Sequence, residues 1–89
     1  MEIVRNASAG TMESSDVYVE IEPAVEGLEI RLESVVQVQF GDSIEAVVRE
    51  VLQENGVENA AVRIVDRGAL ECVIRARVET ALLRGKENV

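Results

Sequence analysis

The chain has 89 residues, of which 47% are hydrophobic, and a formal net charge of −8 at neutral pH. We therefore expect one small domain spanning residues 1–89, with an acidic surface that repels nucleic acid and anionic lipid. The sequence contains no histidine and one cysteine, Cys72, which excludes Cys/His zinc sites, Ser-His triads, Cys-His dyads and an internal disulfide. It also has no long apolar run and no basic leader, so we expect a cytoplasmic protein without a membrane span.

The charges are unevenly distributed along the chain. Residues 1–62 carry three basic and thirteen acidic side chains, whereas residues 63–89 carry six basic and four acidic ones. Solvation alone accounts for such a surface. A second hypothesis is that the acidic part speeds encounter with basic surfaces of partner proteins through long-range attraction.

The first half of the chain is predicted to be a set of strands. Residues 1–7 show little pattern, and a short strand is expected over 8–13. Apolar and polar side chains alternate from Val17 to Glu22 and again from Leu28 to Glu33, with Pro23 ending the first run. These two strands are expected to pair as an antiparallel hairpin, and the short strand before them forms a tighter hairpin.

The second half is predicted to hold two helices and another strand. The period changes after Ser34 and favours a long helix ending at Asn55-Gly56, although a helix beginning at Asp42 is also compatible. A β-branched run over 61–66 predicts a strand, and a last helix runs from Ala69 to about 83 before a loose tail over 85–89. Its expected apolar surface is wide and consists of Ala69, Cys72, Val73, Ala76 and Leu83, with Leu70, Ile74 and Ala81 beside them.

This order, β-β-β-α-β-α, predicts an α+β two-layer sandwich. A mostly antiparallel sheet would carry both helices on one face. With only two aromatic residues in the chain, the core is expected to consist of Val, Ile, Leu and Ala. The single cysteine is expected to be one of the small buried side chains.

The stretch from Gly10 to Asp16 reads GTMESSD. Gly, Ser and Asp favour tight turns, so it predicts a pair of hydroxyls, Ser14 and Ser15, on an exposed turn flanked by Glu13 and Asp16. On these residues alone, an ordinary turn is the more common explanation.

Three separated motifs add a resemblance to a known family. GTMESSDV, QFGDSI at 39–44 and DRGALECVIRARVE at 66–79 resemble the acyl carrier subunit, or gamma chain, of citrate lyase, and the resemblance extends from Ala7 to Leu83. It implies that Ser14 carries 2'-(5''-phosphoribosyl)-3'-dephospho-CoA, covalently bound through a phosphodiester. Ser15 occupies a position where this family also accepts Gly.

The resemblance also implies a function and partners. The chain would be a non-catalytic carrier that holds acetyl and citryl thioesters while citrate is cleaved to oxaloacetate and acetate. Its partners would be the alpha subunit (acyl transferase), the beta subunit (acyl lyase) and the transferase that attaches the prosthetic group. No catalytic residue, metal site, nucleic acid or membrane partner is expected.

Several side chains keep two interpretations. Glu13 and Asp16 are either recognition groups for the attaching enzyme or carboxylates that stabilise the turn. Arg75 is expected to be solvated. Arg77 interrupts the apolar surface of the last helix, where it either pairs with an acidic residue, which we favour, or holds a phosphate of the prosthetic group.

Two other functions remain as alternatives. One is a phosphopantetheine-type acyl carrier, although such proteins are helical bundles with the attachment Ser at a helix start. The other is a regulatory or assembly module that carries no prosthetic group. The intact mass of the native protein separates all three.

Overall fold

A computed structural model describes residues 1–35 and 37–86, with residues 37–40 described by their backbone alone. The elements are the strands β1 (Ala7–Gly10), β2 (Val17–Pro23) and β3 (Leu28–Ser34), the helix α1 (Gln37–Glu54), the strand β4 (Ala60–Asp66) and the helix α2 (Glu71–Gly85). The predicted element order and α+β class are confirmed.

The sheet has the strand order β1-β2-β4-β3. β1 pairs with β2 and β2 with β4, both antiparallel, while β3 and β4 run parallel. The predicted hairpin of β1 and β2 is therefore confirmed, but the expected hairpin of β2 and β3 is wrong because β4 lies between them. The parallel pair is joined through α1, as parallel neighbours require a long crossover.

The loop over 24–27 explains how this error arose. Four residues suit a hairpin, but they can also step across one strand, since neighbouring strands are only about 4.8 Å apart. Gly27 fixes this loop to the start of β4 through two hydrogen bonds. Its carbonyl accepts from Ala60 N at 3.1 Å, and its N–H donates to Asn59 Oδ1 at 2.7 Å.

The start of α1 lies between the two predicted positions. β3 continues through Ser34 and the helix begins at Gln37, so the long helix was nearly right and a start at Asp42 was wrong. Ser34 stays in the strand because it lies in register with Asp66 of β4, and its hydroxyl donates to Asp66 Oδ2 at 2.8 Å. The prediction that Val36 and Phe40 lie on the apolar face of this helix concerns residues whose side chains are outside the described part of the structure.

The core lies between the helices and one face of the sheet. Val17 and Val19 of β2 are fully buried and Ile21 is almost so, which confirms the half-buried strand read from their alternation. Every buried hydrophobic residue among the described side chains is Ile, Val, Leu or Ala, as predicted. The core is therefore built from aliphatic packing.

Both ends of the described chain are more ordered than expected. Ile3 is buried in the core and forms a β-bridge with Lys86. Gly85 is a buried residue of α2, and its carbonyl accepts a hydrogen bond from Val4 N at 2.9 Å. Gly85 and Lys86 thus do not belong to the predicted loose tail over 85–89, because packing of the two termini against each other cannot be read from either segment alone. The rest of that prediction, over 87–89, lies outside the described residues.

The buried face of α2 matches the predicted apolar surface only in part, at Ile74 and Ala81. Cys72 is exposed, and so are Ala76 and Leu83. Because Ile74, Val78 and Leu82 recur every four residues, rotating them inward buries more apolar area than Cys and Ala would. The buried residues of the helix are Ile74, Val78, Ala81, Leu82 and Gly85.

Arg75 connects the two helices. Its guanidinium pairs with Glu50 at 2.9 Å and Glu54 at 3.4 Å, both on α1, and lies 3.8 Å from Glu71 of its own helix. Its side chain is 28% exposed, so the expectation of a simply solvated arginine is corrected to an ion pair across the helix interface.

Neither helix of the described residues is both long enough and apolar enough to cross a bilayer.

Candidate functional site

The connection between β1 and β2 is a tight turn that displays Ser14. Asp16 N donates to the carbonyl of Glu13 at 3.1 Å, so Ser14 and Ser15 are the two central residues. Ser15 has a φ of +66°, the only positive φ among the described non-glycine residues. A left-handed third position is typical of a type II turn and favours glycine.

A β-bulge sets the base of this turn. Ser15 N donates to the carbonyl of Arg67 at 2.8 Å, and Arg67 N donates to the carbonyl of Asp16 at 2.9 Å. Two residues of one strand thus oppose a single residue of the other, with the first of the two in the left-handed region. The turn is therefore tied to the end of β4 as well as to β1.

Gly10 permits the close approach of β1 to β2 at this point. Its φ is +90°, and a Cβ on this residue would lie 1.9 Å from the carbonyl oxygen of Val17. No side chain can occupy that space without moving the backbone, so the first residue of the GTMESSD stretch is a steric requirement of the hairpin.

Asp16 organises the turn through its carboxylate. Oδ2 accepts hydrogen bonds from Thr11 Oγ1 at 2.7 Å and from Arg77 Nη2 at 3.0 Å. Oδ1 accepts from Val17 N at 2.8 Å and from Arg77 Nε at 3.2 Å. The hydrogen bond from the Thr11 hydroxyl, together with those from the Val17 N–H and the positively charged Arg77 guanidinium, lowers the pKa of Asp16 to about 2.

These contacts separate the candidate site residues by role. Asp16 stabilises the turn, and the preferred pairing of Arg77 with an acidic residue is confirmed. Glu13 contributes its carbonyl to the turn, while its exposed carboxylate makes no hydrogen bond within the described residues. Recognition of Glu13 or Asp16 by an attaching enzyme stays a prediction.

Ser14 and Ser15 are both exposed on the turn, as the sequence predicted. Within the described part of the chain, neither Oγ has a hydrogen-bond partner. Each carboxylate oxygen of Asp16 already accepts two hydrogen bonds, and the low pKa of this group makes it a weak base. Ser14 is thus accessible to a second protein but has no base beside it to activate its hydroxyl.

Asp66 is a structural residue of this end of the molecule that the sequence reasoning did not single out. It is 1% exposed. Besides the Ser34 hydroxyl, it accepts a hydrogen bond from Ala69 N at 3.0 Å on Oδ1, and its carbonyl accepts from Val35 N at 3.2 Å. The sequence Asp66-Arg67-Gly68 predicts a turn, and an Asp whose side chain accepts from the N–H three residues later is typical of such a turn.

The site offers no evident metal centre. Within residues 1–35 and 37–86, no group of three or more acidic or cysteine side chains is placed to hold an ion. The turn can therefore present an exposed hydroxyl to another protein, and the surrounding hydrogen bonds hold the turn in place.

Comparisons with known proteins identify the family of this chain. Residues 4–85 match the family model described as malonate decarboxylase delta subunit (MdcD). Over 89 residues the chain is 57% identical to the citrate lyase acyl carrier protein of Escherichia fergusonii, an alignment that covers 99% of this chain and 92% of that protein. The chain belongs to the citrate lyase acyl carrier protein family.

Other members of the citrate lyase acyl carrier protein family also match along nearly their full length. The protein of that name from Klebsiella pneumoniae is 52% identical over 89 residues, covering 99% of this chain and 92% of the relative. The one from Halothermothrix orenii is 45% identical over 88 residues, covering 99% and 94%.

A solved structure shares the fold of this family member. It is a chain of a Pseudomonas malonate decarboxylase hetero-tetramer in complex with malonate, with a TM-score of 0.77, 22% sequence identity and coverage of 97% of this chain and 93% of that chain. At this identity the likeness establishes the fold only.

Proposed function

We propose that this chain is the acyl carrier subunit of a citrate lyase and that Ser14 bears a covalently bound 2'-(5''-phosphoribosyl)-3'-dephospho-CoA. The observation that carries the proposal is the exposed Ser14 hydroxyl, which no described residue engages. The family membership supports the carrier role, and the resemblance of the ESSD stretch to the family motif favours Ser14 over Ser15.

The turn meets the physical requirements of an attachment site. The hydroxyl must enter the active site of another enzyme, so it has to project from the surface. Its support must also stay folded while the attached group moves. The bulge at Ser15 and Asp16 and the four hydrogen bonds to the Asp16 carboxylate provide that support.

Attachment requires a catalyst from outside the chain. In the proposed step, Ser14 Oγ forms a bond to the ribose-bound phosphorus of a phosphoribosyl-dephospho-CoA donor in which that phosphate is activated as a phosphoric anhydride. The anhydride P–O bond breaks, its electron pair leaves with the departing phosphate group, and the serine proton passes to a base of the transferase. This division of labour fits a turn in which the nearby Asp16 carboxylate is a poor base.

The two acidic residues beside Ser14 differ in how they can meet the transferase. The Asp16 carboxylate is held by Thr11, Val17 and Arg77, whereas the Glu13 carboxylate is exposed and free of described partners. Glu13 is therefore the carboxylate of the turn that can be recognised without breaking the turn. Glu13→Gln is expected to slow attachment while leaving the unfolding temperature unchanged.

The bound group supplies a terminal thiol that carries acyl groups. What the chain supplies is a tether, since covalent attachment replaces free diffusion of a coenzyme by a high local concentration at each active site. The proposed partners are the alpha subunit, an acyl transferase, and the beta subunit, an acyl lyase, together with the transferase that loads the carrier.

The decisive experiment is the intact mass of the chain purified with its natural partners. We expect one adduct with the mass of phosphoribosyl-dephospho-CoA, located at Ser14 by peptide mapping. Ser14→Ala should abolish the adduct and lyase activity with an unfolding free energy within about 0.5 kcal/mol of the parent.

Ser15→Gly is the matched control for that variant. It removes the neighbouring hydroxyl at a position whose φ suits glycine, so the adduct and the activity should persist. A lighter phosphopantetheine adduct, an unmodified chain from active lyase, or an adduct that survives Ser14→Ala would each overturn the proposal.

A further inference from the structure

Arg67 differs from the other arginines of the described residues. Each of those seven donates a hydrogen bond to a carboxylate or a carbonyl oxygen. Arg67 is exposed, and its guanidinium makes no hydrogen bond or ion pair within residues 1–35 and 37–86. It is therefore a cation with its hydrogen-bonding groups available.

The backbone of Arg67 is held at the base of the Ser14 turn. Its N–H and its carbonyl are the two groups that pair with Asp16 and Ser15. Hydrogen-bonded neighbours on antiparallel strands have Cα atoms about 5.5 Å apart, and Ser14 is one residue, about 3.8 Å, further along the chain. A fully extended arginine side chain spans a comparable distance, so its guanidinium can reach a group attached to Ser14.

The charge balance of the turn favours a contact between the Arg67 guanidinium and a negatively charged group on Ser14. Asp16 is already compensated by Arg77, whereas Glu13 has no described cation beside it. A phosphodiester on Ser14 would add a second uncompensated negative charge next to Glu13. Among the described arginines, Arg67 is the one with its donors free to neutralise it.

Resting on the proposed attachment at Ser14, we propose that the Arg67 guanidinium binds the phosphodiester of the attached group. A phosphodiester presents two non-bridging oxygens that share one negative charge, which suits the paired N–H groups of a guanidinium. Because the phosphate is already tethered to the turn, the contact requires no association of separate molecules. Arg67 is a binding and positioning residue in this inference, and it restrains the first bonds of the arm while the distal thiol stays mobile.

The test is 31P relaxation of the loaded carrier, in which the phosphodiester and the distal diphosphate give separate signals. In the parent, the phosphodiester should relax as a group that tumbles with the protein, and the diphosphate as a more mobile one. In Arg67→Gln the difference in 31P relaxation between the phosphodiester and the diphosphate should be lost or strongly reduced. Because the described hydrogen bonds between Arg67 and the turn involve only its backbone, the variant is expected to keep its amide spectrum and its unfolding temperature.

Arg31→Gln is the matched control. Arg31 lies within β3, is 77% exposed and pairs only with Glu29 among the described residues, so this variant makes the same change in net charge away from the turn. Its 31P relaxation should match the parent. An unchanged phosphodiester in Arg67→Gln, or equal changes in both variants, would overturn the role of Arg67. If the chain bears no phosphodiester on Ser14, the intact mass will show no adduct, and this result would overturn the proposed function rather than the role of Arg67 alone.

Discussion

Arg77 of α2 donates two hydrogen bonds to the carboxylate of Asp16, a residue that precedes it by 61 positions. The pair joins the last helix to the turn that displays Ser14. Asp16 also binds Thr11 and the N–H of Val17, so one carboxylate connects both sides of the turn with a helix from the other end of the chain. The base of the turn is thereby fixed by the fold as a whole.

This arrangement predicts a stability change in acid. The pKa of Asp16 is about 2 in the folded protein and about 3.9 in an unfolded chain. Because the folded pKa is the lower one, the stability contributed by the carboxylate is fully present above about pH 4 and is lost as the pH falls towards 2. The difference in unfolding free energy between the parent and Asp16→Asn should therefore shrink across this window.

The same titration tests whether these contacts lower the pKa of Asp16. The Thr11 hydroxyl and the Arg77 guanidinium both donate to the carboxylate and hold its pKa down. Thr11→Val and Arg77→Gln are therefore each expected to raise the pKa of Asp16, as measured from the carboxyl 13C shift. A parent Asp16 that titrates near pH 4 would contradict the network described for this residue.

The left-handed conformation of Ser15 predicts that glycine is tolerated at this position and that valine is destabilising. Its φ of +66° is costly for most side chains and free of strain for glycine. In Ser15→Gly the relief of strain is offset by the larger entropy of the unfolded chain, so the unfolding free energy should change by less than about 0.5 kcal/mol. Ser15→Val should cost about 1–2 kcal/mol, because a β-branched residue strongly disfavours this region. Urea unfolding of the two variants measures both, and a neutral Ser15→Val would contradict the left-handed turn.

The parts of the fold that could be predicted from the sequence are those that local pattern determines. Alternation identified β2, since Val17, Val19 and Ile21 could only share one face. The Gly, Ser and Asp content of residues 10–16 identified the exposed turn. These features depend on neighbours along the chain, which is the range over which periodicity and turn chemistry act.

The errors concern choices that depend on distant residues. The loop over 24–27 is short enough for a hairpin, and only the insertion of β4 decides that it crosses a strand instead. Apolar residues surround much of α2, so the sheet and α1 select the face containing Ile74 and Val78 over the one containing Cys72. The partners of Asp16 on α2 and of Asp66 on β3 likewise appear only when the elements assemble.

Asp66 is expected to be a strong determinant of stability. In Asp66→Ala the part-buried N–H of Ala69 loses its acceptor and the Ser34 hydroxyl loses a partner, which should cost about 1–3 kcal/mol. Asp66→Asn should cost less, because its amide oxygen can still accept from Ala69 and a hydroxyl can accept as well as donate. Chemical denaturation compares the two. Asp42→Ala, at an exposed position of α1, is the control and should change little, and an equal loss in both Asp66 variants would contradict this account.

Gly10 and Gly27 form a pair that separates backbone strain from steric overlap. Their φ values are similar, +90° and +82°, but a Cβ on Gly10 would lie 1.9 Å from Val17 O, while one on Gly27 would have nothing within 4 Å. Gly27→Ala should therefore cost only the left-handed strain, about 1–2 kcal/mol. Gly10→Ala adds an overlap that the hairpin relieves only by moving β1 away from β2, and the total loss should exceed about 3 kcal/mol. Thermal unfolding together with hydrogen exchange across β1 and β2 measures the difference, and similar losses in the two variants would show that the hairpin backbone is less closely packed at Gly10 than described.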